Sequence, residues 1–137
     1  MTLETNKDLI RKWINAWIAN DLDVLDEIFA PDYRVNESLI GIAGVKQGVQ
    51  FLHTVFSNIS AELHELVAEE DRVVIRWTIR GRHAGDFMGI PPTGRELALT
   101  GINIYQIIDH KIAANHEQTN ISDVMQKLKA NNQAEVG

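Results

Sequence analysis

The sequence predicts an α+β fold in which helices pack on the concave side of a curved, mostly antiparallel sheet and leave a cavity at its open end. Apolar residues recur at helical spacing through the first sixty residues, and beyond them they alternate with polar residues as in a strand. At 137 residues the chain is the size of a single domain, 1–137. Residues 131–137 are expected to form a flexible tail.

Composition narrows the function classes. The chain has no cysteine, so disulfides, thiol nucleophiles and cysteine-zinc sites are excluded. The net charge of −6 and the lack of a clustered basic surface argue against nucleic acid. No apolar run approaches the ~20 residues that span a bilayer, and the first residues lack a signal-peptide pattern. We therefore expect a cytoplasmic protein that contacts neither membrane nor nucleic acid.

The first half of the chain predicts three helices. The first carries an apolar stripe over residues 9–18 and is capped by Thr2 or Thr5. A short second helix over residues 22–29 is expected to stop at Pro31. After an extended segment near Tyr33, a third helix is predicted over residues 45–59.

The second half predicts strands at residues 60–69, 72–83, 96–108 and 111–120, followed by a helix from Asp123 to about Ala130. In the strand 72–83, apolar Val73, Ile75 and Trp77 alternate with arginine and threonine, which indicates one buried face. His83 lies on that apolar side, near the end of the strand. A loop rich in glycine and proline follows at residues 84–95.

The stretch 101–120 predicts a hairpin around which the chain is organised. Asp109-His110 fits a two-residue turn with positive φ, which makes His110 a turn residue. That turn sets a register in which Tyr105 faces Ala114 and Asn103 faces His116. One face then collects a polar set, whereas Glu117 lies on the opposite face. The set is Asn103, Tyr105, His116, Gln118 and Asn120.

This polar face over an apolar base predicts the floor of a small-molecule pocket. His116 is the natural proton donor or acceptor there, because an ordinary histidine titrates near neutrality. The structural alternatives stay open: His116 as a core histidine bonded to Asn103 or Tyr105, Asn120 as a helix N-cap, and His83 as a packing or rim residue. The histidines lack the HxxxH and HxH spacings of metal sites, so no metal is expected.

Residues 68–112 resemble the SnoaL-like polyketide cyclases, which share the nuclear-transport-factor-2-like cone fold with ketosteroid isomerase. The most specific motif is GDFMGIPPTGR at residues 85–95, and weaker similarity extends over nearly the whole chain. The resemblance implies a cone-shaped α+β barrel with a central pocket, a homodimer, no cofactor and a hydrophobic small-molecule substrate. It also implies ring closure by intramolecular aldol condensation, with an acidic side chain near the end of the last strand moving the protons.

The sequence departs from that pattern at four positions. Ala114 stands where glutamate is common, His116 where tryptophan is common, Asn36 where many members have histidine, and Asn120 at the acidic position. An amide cannot exchange a proton as a carboxylate does, so His116 is expected to act as catalytic base, with Asn120 and Gln118 binding an enolate oxygen. The expected substrate-binding residues are Asn103, Tyr105, Gln118, Trp77, His83, Met88 and Asn36.

Three functions remain open from the sequence. The first is a cofactor-independent cyclase, isomerase or dehydratase acting on an apolar carbonyl compound. The second is a binding or accessory protein that kept the cone and lost the family's acid. The third is a dimerisation module, with the arginine face of the strand 72–83 and the Ile102/Ile104 face in the subunit contact.

Overall fold

A computed structural model describes the backbone of residues 2–136 and the side chains of residues 2–130. The flexible tail expected at residues 131–137 lies outside the described side chains. Within residues 2–136 no helix is long and apolar enough to cross a membrane. The elements in chain order are α1 Leu3–Ala19, α2 Leu25–Ile28, β1 Phe29–Val35, β2 Ser38–Leu39, α3 Gly41–Val55, β3 Phe56–Glu69, β4 Arg72–His83, β5 Glu96–Ile108, β6 Lys111–Thr119 and α4 Ile121–Val136.

The helix boundaries show where sheet pairing overrides helical pattern. Thr2 caps α1 as predicted, its Oγ1 accepting from the Thr5 N–H at 3.0 Å. The second helix is a single turn, because Phe29 already pairs with Ile112 of β6, so the predicted range 22–29 was too long. Likewise α3 ends at Val55, because Phe56 begins the pairing with β4.

The sheet has the strand order β2-β1-β6-β5-β4-β3. The β1–β6 pair is parallel and the other pairs are antiparallel, as expected for a mostly antiparallel sheet. The predicted bounds of β4 and β5 are confirmed. The strands β2 and β3 form the two edges, so the curved sheet is an open cone rather than a closed barrel.

Two apolar clusters hold the helices and the loop on the sheet. The larger joins α1 and α3 to the strands through buried residues that include Ile10, Trp17, Val49, Ile75 and Ile112. The smaller joins the loop 84–95 to α4 through residues that include Phe56, Phe87, Ile90, Leu99 and Leu128. Phe87 is fully buried and Ile90 nearly so. These two side chains fix the GDFMGIPPTGR segment against the sheet.

The hairpin between β5 and β6 begins as predicted and then changes register. Asp109 and His110 both have positive φ, at 51° and 64°, and Ile107 lies opposite Ile112. A β-bulge follows, so that Ala114 lies opposite Gln106 rather than Tyr105. One extra residue turns every later side chain to the other face of the sheet. The predicted register is therefore wrong from residue 114 onward.

Candidate active site

A cavity of about 400 Å³ lies between the concave face of the sheet and the helices α1 and α3. This volume is within the range of small-molecule sites, ~300–1,000 Å³. Its wall is largely apolar and is formed by residues such as Ile14, Trp17, Val45, Val49, Leu52, Leu63, Ile75, Ile79 and Leu99. Polar groups enter it from β1, β5 and β6: Tyr33, Asn103, Tyr105, Asn115, Glu117 and Thr119.

The bulge in β6 decides which side chains of that strand reach the cavity. Asn115, Glu117 and Thr119 line it, and Glu117 is paired with Asn103 across the hairpin. Glu117 is the only charged side chain among the described residues that line the cavity. Sequence reasoning placed Glu117 on the outer face, and the extra residue before Ala114 is the physical reason for the error.

Asn103 is the centre of a hydrogen-bond network on the cavity wall. Its side chain is 4% exposed and its Oδ1 accepts from Trp77 Nε1 at 2.6 Å. Its Nδ2 donates to Asn115 Oδ1 at 3.0 Å and to Glu117 Oε2 at 3.2 Å. Both amide protons and the carbonyl are therefore used, which fixes the Glu117 carboxylate in one orientation.

Gly101 makes room for the Trp77 end of this network. A Cβ at Gly101 would lie 2.3 Å from Trp77 Cζ2 and 3.0 Å from the Gln118 carbonyl oxygen. The indole therefore lies close against the bare backbone of Gly101, and its N–H reaches Asn103. The absence of a side chain at position 101 thus positions the network that orients Glu117.

Glu117 is also held through its backbone. The Glu117 N–H donates to Asn36 Oδ1 at 3.0 Å, and the Asn36 N–H donates to the Asn115 carbonyl oxygen at 2.8 Å. Asn36 is exposed and adopts a left-handed conformation with φ of 47° at the end of β1, which an asparagine tolerates. Asn36, expected to bind substrate, instead continues the β1–β6 pairing from outside the cavity lining.

The carboxylate of Glu117 has one anchored and one free oxygen. Among the described residues, Oε2 receives the Asn103 amide and Oε1 accepts no hydrogen bond. A carboxylate so placed can accept a proton from a bound molecule without breaking its anchor.

Tyr33 and Tyr105 add two hydroxyl groups to the same cavity. Burial raises the pKa of Tyr33 well above its ordinary 10.0, the neighbouring Asn115 amide lowers it and the Glu117 charge raises it further. Burial likewise raises the pKa of Tyr105, the charges of Tyr33 and Glu117 add to the rise, and the hydrogen bond from Trp13 opposes it. Both hydroxyls therefore keep their protons at physiological pH.

His116 and Gln118 lie on the outer face of the sheet. His116 is opposite Ile104 and Gln118 is opposite Ile102, and all four side chains are exposed. Neither His116 nor Gln118 lines the cavity. Their predicted place on the pocket floor is wrong for the same reason that Glu117 was missed: the bulge reverses the faces.

Asn120 joins strand to helix rather than facing the cavity. Its Oδ1 accepts from the Thr100 N–H at 2.9 Å, its Nδ2 donates to the Ala98 carbonyl at 3.4 Å, and its carbonyl accepts from the Val124 N–H at the start of α4. The residue thus stands at the N-cap position, but its side chain is occupied by the backbone of β5. An amide suits this place because it both donates and accepts.

Neither His83, the last residue of β4, nor Met88 in the loop 84–95 belongs to the cavity lining. His83 is fully buried, and its Nδ1 lies 3.0 Å from Thr93 Oγ1 and accepts from the Thr93 N–H at 3.3 Å. Met88 is 61% exposed at the tip of the loop. Of the residues expected to bind substrate, Asn103, Tyr105 and Trp77 line the cavity. Among the side chains of residues 2–130 no three His, Asp or Glu cluster as metal ligands.

The open α+β cone and its apolar cavity, with amides and one carboxylate on the wall, define a small-molecule pocket of the cyclase and isomerase type. The family model described as SnoaL-like polyketide cyclase matches residues 7–128. The chain therefore belongs to the SnoaL-like polyketide cyclase family, as its sequence motif indicated.

Individual relatives agree with this membership. The chain is 30% identical to aklanonic acid methyl ester cyclase DnrD of Streptomyces peucetius over 118 residues, which cover 80% of this chain and 81% of the relative. It is 26% identical to nogalonic acid methyl ester cyclase of Streptomyces nogalater over 122 residues, covering 84% and 90%. The structure of TsrD from Streptomyces laurentii superposes with a TM-score of 0.85 at 26% identity, covering 93% of this chain and 97% of that one.

Proposed function

We propose that the protein is an enzyme, a cofactor-independent cyclase that closes a ring in a hydrophobic polyketide by intramolecular aldol addition, with Glu117 as the proton-transferring group. The observation that carries this proposal is the Glu117 carboxylate, which enters the cavity with Oε2 held by Asn103 and Oε1 free. The family's acidic position holds Asn120, just after the end of β6, and Glu117 supplies a carboxylate on the cavity wall three residues earlier, within β6.

The chemistry needs one base that later acts as an acid. Glu117 Oε1 takes the proton from a carbon next to a carbonyl, and the electron pair of that C–H bond forms an enolate. The enolate carbon then attacks a second carbonyl carbon of the same molecule, which forms the ring C–C bond and leaves an alkoxide. The alkoxide takes the proton back from Glu117. The reaction is an isomerisation, so no oxidant, reductant or second substrate is required.

The cavity supports a substrate of low polarity. Its wall is built mainly from aliphatic and aromatic side chains, with Glu117 as the charged group. Two relatives are named as cyclases of aklanonic and nogalonic acid methyl esters, and these polyketide methyl esters are the first compounds to offer the protein. We propose that it acts on this class of compound in the cytoplasm.

We also propose a homodimer formed by the outer face of the sheet. Ile102, Ile104 and Ile108 of β5 are 48%, 39% and 48% exposed, and together they form an apolar strip on a strand at the middle of the sheet. His116 lies beside this strip, opposite Ile104. Light scattering on the purified protein should give the mass of a dimer. The Ile104→Lys variant should give the mass of a monomer.

Turnover of the two methyl esters tests the proposed function. The wild-type protein should give cyclised product, and Glu117→Gln should lower the rate by about 10²–10⁴-fold, the usual contribution of a general base. The matched control is His116→Gln, the adjacent residue on the outer face, which should stay within about twofold of wild type. Tight binding of both esters without product from the wild-type protein would favour the non-catalytic binding protein instead.

A further inference from the structure

The cavity holds a pair of buried hydroxyl groups that the base chemistry of Glu117 does not use. Tyr33 and Tyr105 are the two tyrosines of the chain, they both line the cavity, and they are 4% and 3% exposed. Burying a tyrosine hydroxyl ordinarily requires a hydrogen-bond partner. The partners of these two hydroxyls therefore indicate what the pair can do.

The Tyr105 hydroxyl receives a hydrogen bond and has a proton left to give. Trp13 Nε1 can only donate, and it lies 3.1 Å from Tyr105 Oη. Among residues 2–130 the Tyr105 O–H donates no hydrogen bond. Since the indole occupies one lone pair of the oxygen, it also polarises the O–H bond and makes the proton a better donor.

Tyr33 presents a second hydroxyl to the same cavity. Its neighbour is the Asn115 side chain, whose hydrogen bond lowers the Tyr33 pKa against the larger rise caused by burial. An edge-on stack packs against Tyr33: the ring of Trp13 lies 4.8 Å from that of Phe29, which lies 4.7 Å from that of Tyr33. Trp13 thus belongs to the stack that holds the Tyr33 ring and also donates to the Tyr105 hydroxyl.

We propose that Tyr105, with Tyr33 as second donor, forms a binding site for the negatively charged oxygen of an enolate or phenolate, and that Trp13 is a positioning residue for Tyr105. The catalytic role of this oxyanion site rests on the proposed function. When Glu117 takes a proton from the substrate, the negative charge leaves the carboxylate and appears on the enolate oxygen. Neutral hydroxyl donors fixed in an apolar cavity stabilise that charge without reorganisation. The cavity then carries one negative charge before and after the step.

Binding of 2-naphthol and of naphthalene tests this site without turnover. The two probes share a ring system, and only 2-naphthol can place an ionised oxygen against the tyrosines, which its absorption spectrum reports. The protein to use is the Glu117→Gln variant. Its glutamine is neutral, as Glu117 is after it has taken the proton. We expect it to bind 2-naphthol partly as naphtholate and to prefer it over naphthalene.

Tyr105→Phe in that background should weaken naphtholate binding by about 10–100-fold, the range for one hydrogen bond to a charged group, and leave naphthalene binding unchanged. Trp13→Phe should weaken it by a smaller factor. Equal loss for both probes in Tyr105→Phe, or no preference for 2-naphthol in the parent, overturns the inference. If the naphtholate preference holds while no polyketide ester is cyclised, the oxyanion site stands and the proposed function fails.

Discussion

Replacing Asn103 by alanine should destabilise the protein and disorder the catalytic carboxylate together. Asn103 joins Trp77, Asn115 and Glu117 through three hydrogen bonds of 2.6, 3.0 and 3.2 Å, and it is 4% exposed. The Asn103→Ala variant removes all three bonds. It leaves the indole N–H of Trp77 and the side-chain oxygen Oδ1 of the buried Asn115 without these partners.

The expected loss follows from these groups. A hydrogen bond contributes about 0.5–1.5 kcal/mol net, and an unsatisfied buried group costs about 1–3 kcal/mol. The network faces a cavity that water can enter, so part of the loss is compensated. We therefore expect the free energy of unfolding to fall by about 2–4 kcal/mol, a large share of the ~5–15 kcal/mol typical of a domain.

Urea denaturation followed by fluorescence measures this change. With a slope of ~2 kcal/mol per molar urea, the midpoint should move down by about 1–2 M. Thr100→Ala, an exposed position on the same strand, should change stability by less than about 0.5 kcal/mol. A midpoint for Asn103→Ala within the error of wild type would show that the network does not hold the cavity wall together.

Two further predictions concern α3 and the tyrosines. Gly48→Ala should raise the free energy of unfolding by about 0.5–1 kcal/mol, because alanine favours a helix and a Cβ there meets no atom within 4 Å. Gly44→Ala should gain less stability or lose some, because its Cβ would lie 2.0 Å from Ile40 Cγ2. Burial raises the pKa of Tyr33 and Tyr105 in the folded protein above 10.0, the value in the unfolded chain. Their contribution to the free energy of unfolding should therefore be constant below pH 10 and fall above it by about 1.4 kcal/mol per pH unit for each tyrosine. Urea titrations on either side of pH 10 measure this, and Tyr33→Phe should remove about half of the fall.

Local chemistry in the sequence predicted the turn but not the register of the strand after it. Positive φ at Asp109-His110 follows from the residue types, and it correctly places Ile107 opposite Ile112. The bulge falls at a pair of alanines, Ala113 and Ala114, which fit either face of a sheet equally well. Nothing local therefore distinguishes the face with His116 from the face with Glu117.

The information that sets the register is non-local. The strand β1 lies parallel to β6 on its other side, and that pairing shifts between Phe29–Ile112 and Arg34–Ala114. Asn36 then fixes the Glu117 backbone from 81 residues away in the sequence. The sequence did not predict Trp13 and Tyr33 as polar site residues for a related reason. Trp13 fits the apolar stripe of a helix and Tyr33 fits an extended segment, and only the folded sheet brings both to the cavity.

Hydrogen exchange at the reacting carbon tests the central claim, that Glu117 moves the substrate proton. A substrate analogue that has the acidic C–H next to its carbonyl but lacks the second carbonyl cannot close a ring, and in D₂O the protein should replace that hydrogen with deuterium, as followed by NMR. The account predicts that Glu117→Gln loses this exchange by at least about 10²-fold while His116→Gln keeps the wild-type rate. Exchange at the wild-type rate in Glu117→Gln, or its loss in His116→Gln, would contradict it.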